Sequence, residues 1–391
     1  MSKIAFFCIP AHGHTNPTLA VVKELVSRGH EVWYYSYDML KEKIEAAGAK
    51  YISCDKYDIQ MNLKPEDAGR IGKDLAFSME ILVNTTLAMD EAILEEMRAW
   101  KPDCIVADSM AVWGKLAALK LGVPFVSSTT TFAFNQHSAK VMKQSVGELL
   151  GAIFAMGKAQ KSIKKLQAKG YPVKNALSIM GNDNNTNTIV YTSPEFQPCA
   201  DTFSDKYSFV GPSVRQLDYE VQKPDKKSIY VSLGTVMNQN VPFFKNCIEA
   251  LKDSGMDVIM SVGNVIDIAE LGDIPANVLV ERYVNQIEVL QQVDMFITHC
   301  GMNSVNEALY YEVPLIMYPL TKEEEGVAYR VNELGAGVYL KENRVDAIKA
   351  AVQTISESLV YKENAGKIAA GFRACGGAKM AADKILKVIA D

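Results

Sequence analysis

Short apolar runs alternate along most of this chain with stretches whose apolar positions recur every three or four residues. Residues 3–9 (KIAFFCI) form a run of strand length without polar alternation, which predicts a strand covered on both faces. Residues 17–28 predict a helix, with Pro17 in its first turn, Leu19, Val22, Leu25 and Val26 on one face, and Gly29 ending it. A strand at 31–36, a helix at 41–47 stopped by Gly48, and strands at 104–108 and 124–127 flanking a helix at 111–121 continue the rhythm. A βαβ succession of this kind predicts a parallel sheet with helices on both sides. Residues 57–100 and 132–180 carry Met- and Phe-containing helical stretches instead of strands and are expected as insertions over the end of the sheet. A turn-rich segment at 181–188 (GNDNNTNT) precedes a short strand at 189–192.

Residues 213–227 mix charges with Pro224 and lack periodicity, and a second βαβ series follows them. Its strands are expected at 228–233, 257–261, 278–283, 295–298 and 314–318, with helices at 242–253, 285–293, 303–312, 323–334 and 345–356. The expected fold class is therefore α/β, with two Rossmann-like doubly wound parallel-sheet domains facing a cleft. The domains are 1–212 and 228–391, joined by the linker 213–227, with the last helix a candidate to pack back on the N-terminal domain.

Composition narrows the function. A chain of 391 residues fits two or three domains at roughly 100–200 residues each. Lys+Arg 41 against Asp+Glu 46 gives a net charge of −5, the wrong sign for a reader of phosphate backbones, so no nucleic-acid partner is expected. The 7 Cys are scattered without a CxxC pair, which fits a reducing cytoplasm better than a disulfide framework or structural zinc. Residues 4–22 carry no Asp, Glu, Lys or Arg, yet Pro10, His12, Gly13, His14, Asn16 and Pro17 interrupt them. Neither an export signal nor a stable membrane insertion is expected from such a segment.

The first strand-to-helix turn, Pro10-Ala11-His12-Gly13-His14-Thr15-Asn16, has one Gly and so lacks the G-x-G-x-x-G cradle of a dinucleotide enzyme. No P-loop, HExxH, GxSxG or Asp-x-Asp occurs either. Open α/β sheets bind ligands at the carboxyl ends of their strands, where this His pair and Asp108 both fall. A His there can serve as general base with the carboxylate fixing its tautomer. The competing readings are an imidazole that caps the following helix and an Asp108 that serves as an N-cap. In the second half, Ser232-Leu233-Gly234-Thr235, Ser261-Val262-Gly263 and His299-Cys300-Gly301-Met302-Asn303-Ser304 each follow a strand with small residues that let backbone N–H groups approach an anion. The last of them opens into a helix, whose N-terminus suits a diphosphate, and Glu307 lies one turn in.

With these residues in view, the stretch 283–340 is similar to the nucleotide-sugar signature of GT-B glycosyltransferases related to plant UDP-glucosyltransferases. The N-terminal PAHGHTNPTLAVVKELVSRGH resembles their bacterial macrolide-type branch. The resemblance spans nearly the whole chain and is weakest at 57–100 and 132–180. It implies a GT-B fold with an N-terminal acceptor-binding domain and a C-terminal nucleotide-sugar-binding domain. It also implies an inverting, metal-independent transfer of a hexose, glucose first among them, from a UDP-sugar to a hydroxyl of a small lipophilic acceptor such as a macrolide or polyphenol. No cofactor is implied beyond the UDP-sugar, which is a substrate.

By motif position His14 matches the family's base and Asp108 its partner. Tyr283 stands where a Trp usually stacks on uracil, followed by Val284 and by Gln286, which matches a family Gln. His299, Gly301, Asn303 and Ser304 match diphosphate contacts, Glu307 the ribose contact, and Ser232, Gly234 and Thr235 the other phosphate-side loop, with Ser261 on the neighbouring strand end. Where the family places an acidic residue followed by Gln against the sugar hydroxyls, this chain has Glu323-Glu324. Asn285 replaces a Pro, and Tyr329 stands at a position usually Asn. These departures bear on the identity of the sugar. The rival functions are an epimerase or hydrolase on the same scaffold and a non-catalytic accessory binder of sugar nucleotides. Phe77, Met79, Leu82, Phe132, Phe134 and Met142 are candidates for an acceptor pocket, against the alternative that they are ordinary core.

Overall fold

The computed structural model describes residues 1–57, 74–141, 160–175, 178–179, 181–234 and 238–391. The chain divides into two compact units, Met1–Ser213 together with Cys375–Asp391, and Val214–Ala374.

The first unit is built on a parallel sheet of β1 (Lys3–Phe7), β2 (Glu31–Ser36), β3 (Lys50–Ser53), β4 (Cys104–Asp108), β5 (Phe125–Thr129), β6 (Thr188–Val190) and β7 (Tyr207–Phe209), in the order β3-β2-β1-β4-β5-β6-β7. Alternate residues of β1 serve opposite faces, as the period of two in a strand requires. Ala5 and Phe7 join a cluster with Met79, Val83 and Trp113, whereas Ile4 and Phe6 join one with Val22 and Leu25. The helix Leu75–Trp100 buries Met79, Leu82, Val83, Met89, Ile93, Leu94, Met97 and Trp100, the spacing of a single helical face. Asp90 on that helix is itself buried, accepts the Tyr171 hydroxyl at 2.5 Å and faces Lys120 Nζ at 3.1 Å. This polar knot ties two helices and the 171–173 segment into one layer.

The second unit carries β8 (Ser228–Ser232), β9 (Asp257–Ser261), β10 (Val278–Glu281), β11 (Met295–Thr298), β12 (Leu315–Met317) and β13 (Gly337–Tyr339), in the parallel order β10-β9-β8-β11-β12-β13. Ile229 and Val231 of β8 pack with Phe243, Phe244 and Cys247 of the helix Val241–Leu251 and with Ile348, Val352 and Ile355 of the helix Val345–Ser356. Counted within its own sheet, the first unit has the strand order 3-2-1-4-5-6-7 and the second 3-2-1-4-5-6, and each reverses direction between its first and fourth strands. Such a reversal leaves a crevice beyond the carboxyl ends of the strands.

Two expectations need correction. The helix expected from residue 17 begins at His12 and runs to Ser27, so His12, Gly13 and His14 form its first turn and Pro17 lies inside it. Pro17 lacks the N–H that would otherwise bond the Gly13 carbonyl. Strands β3, β7 and β13, and the helix Val360–Ala374, fall where no element was placed. The final helix Gly377–Ala390 buries Ala381, Ala382 and Ile385 in the same cluster as Ile4, Phe6 and Val22 of the first unit. Among the described residues no helix is long and apolar enough to cross a membrane.

Candidate active site

Each unit's candidate residues sit at its own reversal point. In the first unit, β1 and β4 are paired with Phe7 opposite Ala107, which places Asp108 one step beyond the last β1 residue. The chain leaves β1 through an extended Ala11 and enters a helix that has no side-chain cap, and the first-turn His14 turns toward β4. Its Nδ1 lies 2.8 Å from Asp108 Oδ2, with the carboxylate side chain fully buried and the imidazole 21% exposed. Asp108 Oδ1 accepts the Met110 N–H at 2.9 Å. The helix after β4 starts from Ala111 instead, so Asp108 is not its N-cap. Thr130, a buried residue just past β5, brings its hydroxyl to 3.2 Å from the same Nδ1. Two oxygens around one ring nitrogen favour a proton there, leaving the lone pair on Nε2.

Beneath this pair, Thr15 donates its hydroxyl to Cys8 Sγ at 3.4 Å, and burial, reinforced by the Asp108 carboxylate, pushes the Cys8 thiol far up. Cys8 is therefore a neutral packing group. His12 faces away, 3.4 Å from Lys43 Nζ, and burial and that ammonium both lower its pKa.

In the second unit, Ser232 and Thr298 are register partners, so β8 and β11 end side by side. Cys300 takes a left-handed backbone (φ 71°) and Gly301 forms the N-cap of the helix Met302–Tyr310 without any side-chain cap. The first turn of that helix carries no acidic residue, leaving an electropositive end toward the rim. His299 lies between the β8 and β11 loops. A Cβ at Gly234 or at Gly301 would come within 2.6 Å of its ring, so glycine at both positions makes room for the imidazole. Among the described residues its buried Nδ1 has no partner at hydrogen-bond geometry. Burial lowers the His299 pKa, while Glu324, at 3.9 Å, pulls it upward.

A step along the rim, Gln286 Nε2 donates to Glu307 Oε2 at 2.5 Å and to Ser304 Oγ at 3.3 Å. Burial raises the Glu307 pKa against the opposing pull of Gln286 and Arg215. Tyr230, stacked on Phe296, donates its hydroxyl to Gln286 Oε1 at 3.3 Å from below. Tyr283 presents an exposed ring beside the half-buried Val284. Ser261 donates to the Arg282 carbonyl at 3.3 Å, and Ser232 Oγ accepts the Gly234 N–H at 3.2 Å. Asn303 occupies the first turn of the helix Met302–Tyr310, and Glu323 is exposed in the first turn of the helix Lys322–Glu333. Thr235 and Met142 lie outside the described residues.

The acceptor-pocket expectation needs revision. Met79, Leu82 and Phe132 are core residues, which leaves Phe134, half exposed, and the half-buried Phe77 as surface-reaching apolar groups. Thr130, Tyr230 and Arg215 were not singled out from the sequence. Thr130 is 116 positions from His14, and only the strand order joins them. Among the described residues no group of three or more His, Cys, Asp or Glu is placed to hold a metal.

Two doubly wound sheets, one presenting a His–carboxylate pair and the other a helix N-terminus with small loops, define a group-transfer enzyme on a nucleotide-binding scaffold. Residues 212–371 match the family described as UDP-glucoronosyl and UDP-glucosyl transferase. The chain is 32% identical to the uncharacterized UDP-glucosyltransferase YojK of Bacillus subtilis (strain 168), over 100% of this chain and 98% of that protein. It is 34% identical to the NDP-glycosyltransferase YjiC of the same organism, over 98% and 96% of the two chains. The solved structure of CalG4, the calicheamicin glycosyltransferase, superposes with a TM-score of 0.83 at 27% identity, covering 100% of this chain and 98% of that one. The chain belongs to the UDP-glycosyltransferase family and is a glycosyltransferase of the GT-B fold.

Proposed function

We propose that this enzyme transfers a hexose, glucose first among the candidates, from a UDP-sugar to a hydroxyl of a small lipophilic acceptor, with inversion and without a metal. The observation that carries the reading is the 2.8 Å contact between His14 Nδ1 and the buried Asp108 carboxylate. A neutral imidazole held in this tautomer takes the acceptor hydroxyl proton on Nε2 as the acceptor oxygen attacks the anomeric carbon. The bond from that carbon to the diphosphate oxygen breaks on the opposite face, and UDP leaves. Asp108 stabilises the imidazolium that forms. His299 and the N–H groups opening the helix Met302–Tyr310 stabilise the charge that grows on the departing phosphate, the electrostatic task a metal performs in other enzymes.

The relatives support the donor class at two levels of detail, one being described as a UDP-glucosyltransferase and another more broadly as an NDP-glycosyltransferase. The calicheamicin enzyme supports a natural-product acceptor. The exposed ring of Tyr283 takes the place of a stacking aromatic for the base, and Glu307 with Gln286 that of the ribose contact. Ser232, Gly234, Gly301, Asn303 and Ser304 belong to the diphosphate side in this reading, and Glu323 to the sugar side. None of the 7 Cys is in a disulfide, in keeping with work in a reducing cytoplasm.

The test is turnover of UDP-glucose with a phenolic or macrolide acceptor. General-base catalysis contributes typically about 10²–10⁴-fold, so His14→Ala should lose roughly that much turnover and keep UDP affinity. An undiminished rate in His14→Ala would refute the base. An α-linked product from the α-linked donor would refute inversion.

A further inference from the structure

The Glu324 carboxylate is shared between two neighbours. Thr321 opens the helix Lys322–Glu333 with a reciprocal cap, in which its hydroxyl accepts the Glu324 N–H at 3.3 Å. In return, Glu324 Oε2 accepts the N–H groups of Leu320 and Thr321 at 2.7 and 2.8 Å. These bonds fix the carboxylate so that Oε1 stands 3.9 Å from His299 Nε2, with both side chains only 13% exposed. The imidazole is confined on its other sides by Gly234 and Gly301.

Among the described residues, few groups face His299. Glu324 reaches it from the helix Lys322–Glu333, and the Ser232 backbone acts on it from the end of β8. Cys300, beside it in the chain, stays a neutral thiol because burial and the Glu324 charge push its pKa well up. Burial outweighs Glu324 in the free site, so the ring is neutral at pH 7 with a pKa below the ordinary 6.5.

We propose that Glu324 is a positioning residue that acts through His299, so that binding of a nucleoside diphosphate draws one proton from solvent onto the imidazole. The inference rests on the donor-site reading above. The diphosphate brings negative charge to a ring that already has a carboxylate on one side, and an imidazolium between two anions becomes the stable form. The proton completes the second N–H of the ring, and no bond in the ligand is made or broken. The Gln that the family carries at this position would accept the same two backbone N–H groups but supply no charge. The family's cap is thus kept while its proton linkage is weaker.

Isothermal titration of UDP at pH 7.5, in HEPES and in Tris, counts the protons exchanged, because the two buffers differ in ionisation enthalpy. Comparing wild type with Glu324→Gln cancels the ligand's own ionisation. The proton uptake of wild type should exceed that of Glu324→Gln by about half a proton or more. While the bound ring stays charged and the free ring neutral, each unit lost from the bound-state pKa of His299 should weaken UDP binding about tenfold. That gap should widen as pH falls from 8 toward 7 and close above about pH 9, where the bound ring is neutral in both proteins. His299→Asn should lose the uptake in the same way. Equal proton counts in wild type and Glu324→Gln, or an uptake retained in His299→Asn, would overturn the proposal and leave the donor site standing. Absence of UDP binding to wild type at millimolar concentrations would overturn the donor-site reading itself.

Discussion

At the scale of single residues, the most exposed prediction concerns Glu307. Burial raises its pKa above the ordinary 4.5, so its folded state prefers the proton. The stability this site contributes is fully present below pH 4.5 and is lost as pH rises through the raised value. Glu307→Gln keeps an acceptor for Gln286 and removes that loss. This substitution should make the protein more stable than wild type at pH 7.5 by about 0.5–2 kcal/mol in urea unfolding, a difference that shrinks toward pH 4.5. It should also weaken UDP binding if the carboxylate serves the ribose. His299 has the opposite sign. Its lowered pKa means that the stability gained by keeping it neutral is present above pH 6.5 and lost as pH falls through the folded value. His14 and Asp108 were legible as candidates because each ends a run of strand length. Thr130 was not, since nothing in Ser127-Ser128-Thr129-Thr130 distinguishes one hydroxyl from the next, and only the pairing of β4 with β5 selects it.

At the scale of elements, packing is tight where the helix Val112–Leu121 crosses the first sheet. A Cβ on Gly114 would stand 2.7 Å from Ala107 Cβ, on the strand that carries Asp108, and 2.9 Å from Phe7 Cβ, on the strand that leads into the His14 turn. Gly114→Ala should cost about 1–3 kcal/mol by overpacking, measurable in thermal unfolding, and should lower turnover by shifting Asp108 against His14. The buried strands were legible from their unbroken apolar runs, as in Cys104–Asp108 and Ser228–Ser232. The edge strands β3, β7 and β13 were not. Lys50–Ser53 is four residues with an exposed Lys, and Gly337–Tyr339 is three with a Gly at its head, too short to show a period. The helix at His12 was misplaced for a different reason. Pro17 reads as a first-turn residue, yet the helix tolerates it five positions in, and only the structure shows that the extended Ala11 starts the turn earlier.

At the scale of the whole molecule, the first unit is completed by the last residues of the chain. Ile385 is fully buried among Ile4, Phe6 and Leu25, and Arg28 pairs with Asp383 on the surface of the same contact at 2.5 Å. Ile385→Asp would bury an unpaired carboxylate and should cost about 4 kcal/mol or more. Intrinsic fluorescence checks this directly. The 3 Trp residues, Trp33, Trp100 and Trp113, all belong to the first unit, so a red-shifted emission reports that unit alone. An emission spectrum unchanged through the same temperature range would rule out the dependence. The threading also sets a timetable for synthesis. Val214–Ala374 leaves the ribosome before the helix that closes the earlier core, so the first unit waits unfinished until residues 375–391 have emerged as well. An arrested nascent chain still holding its last turns in the exit tunnel should show a folded second half and a protease-sensitive first.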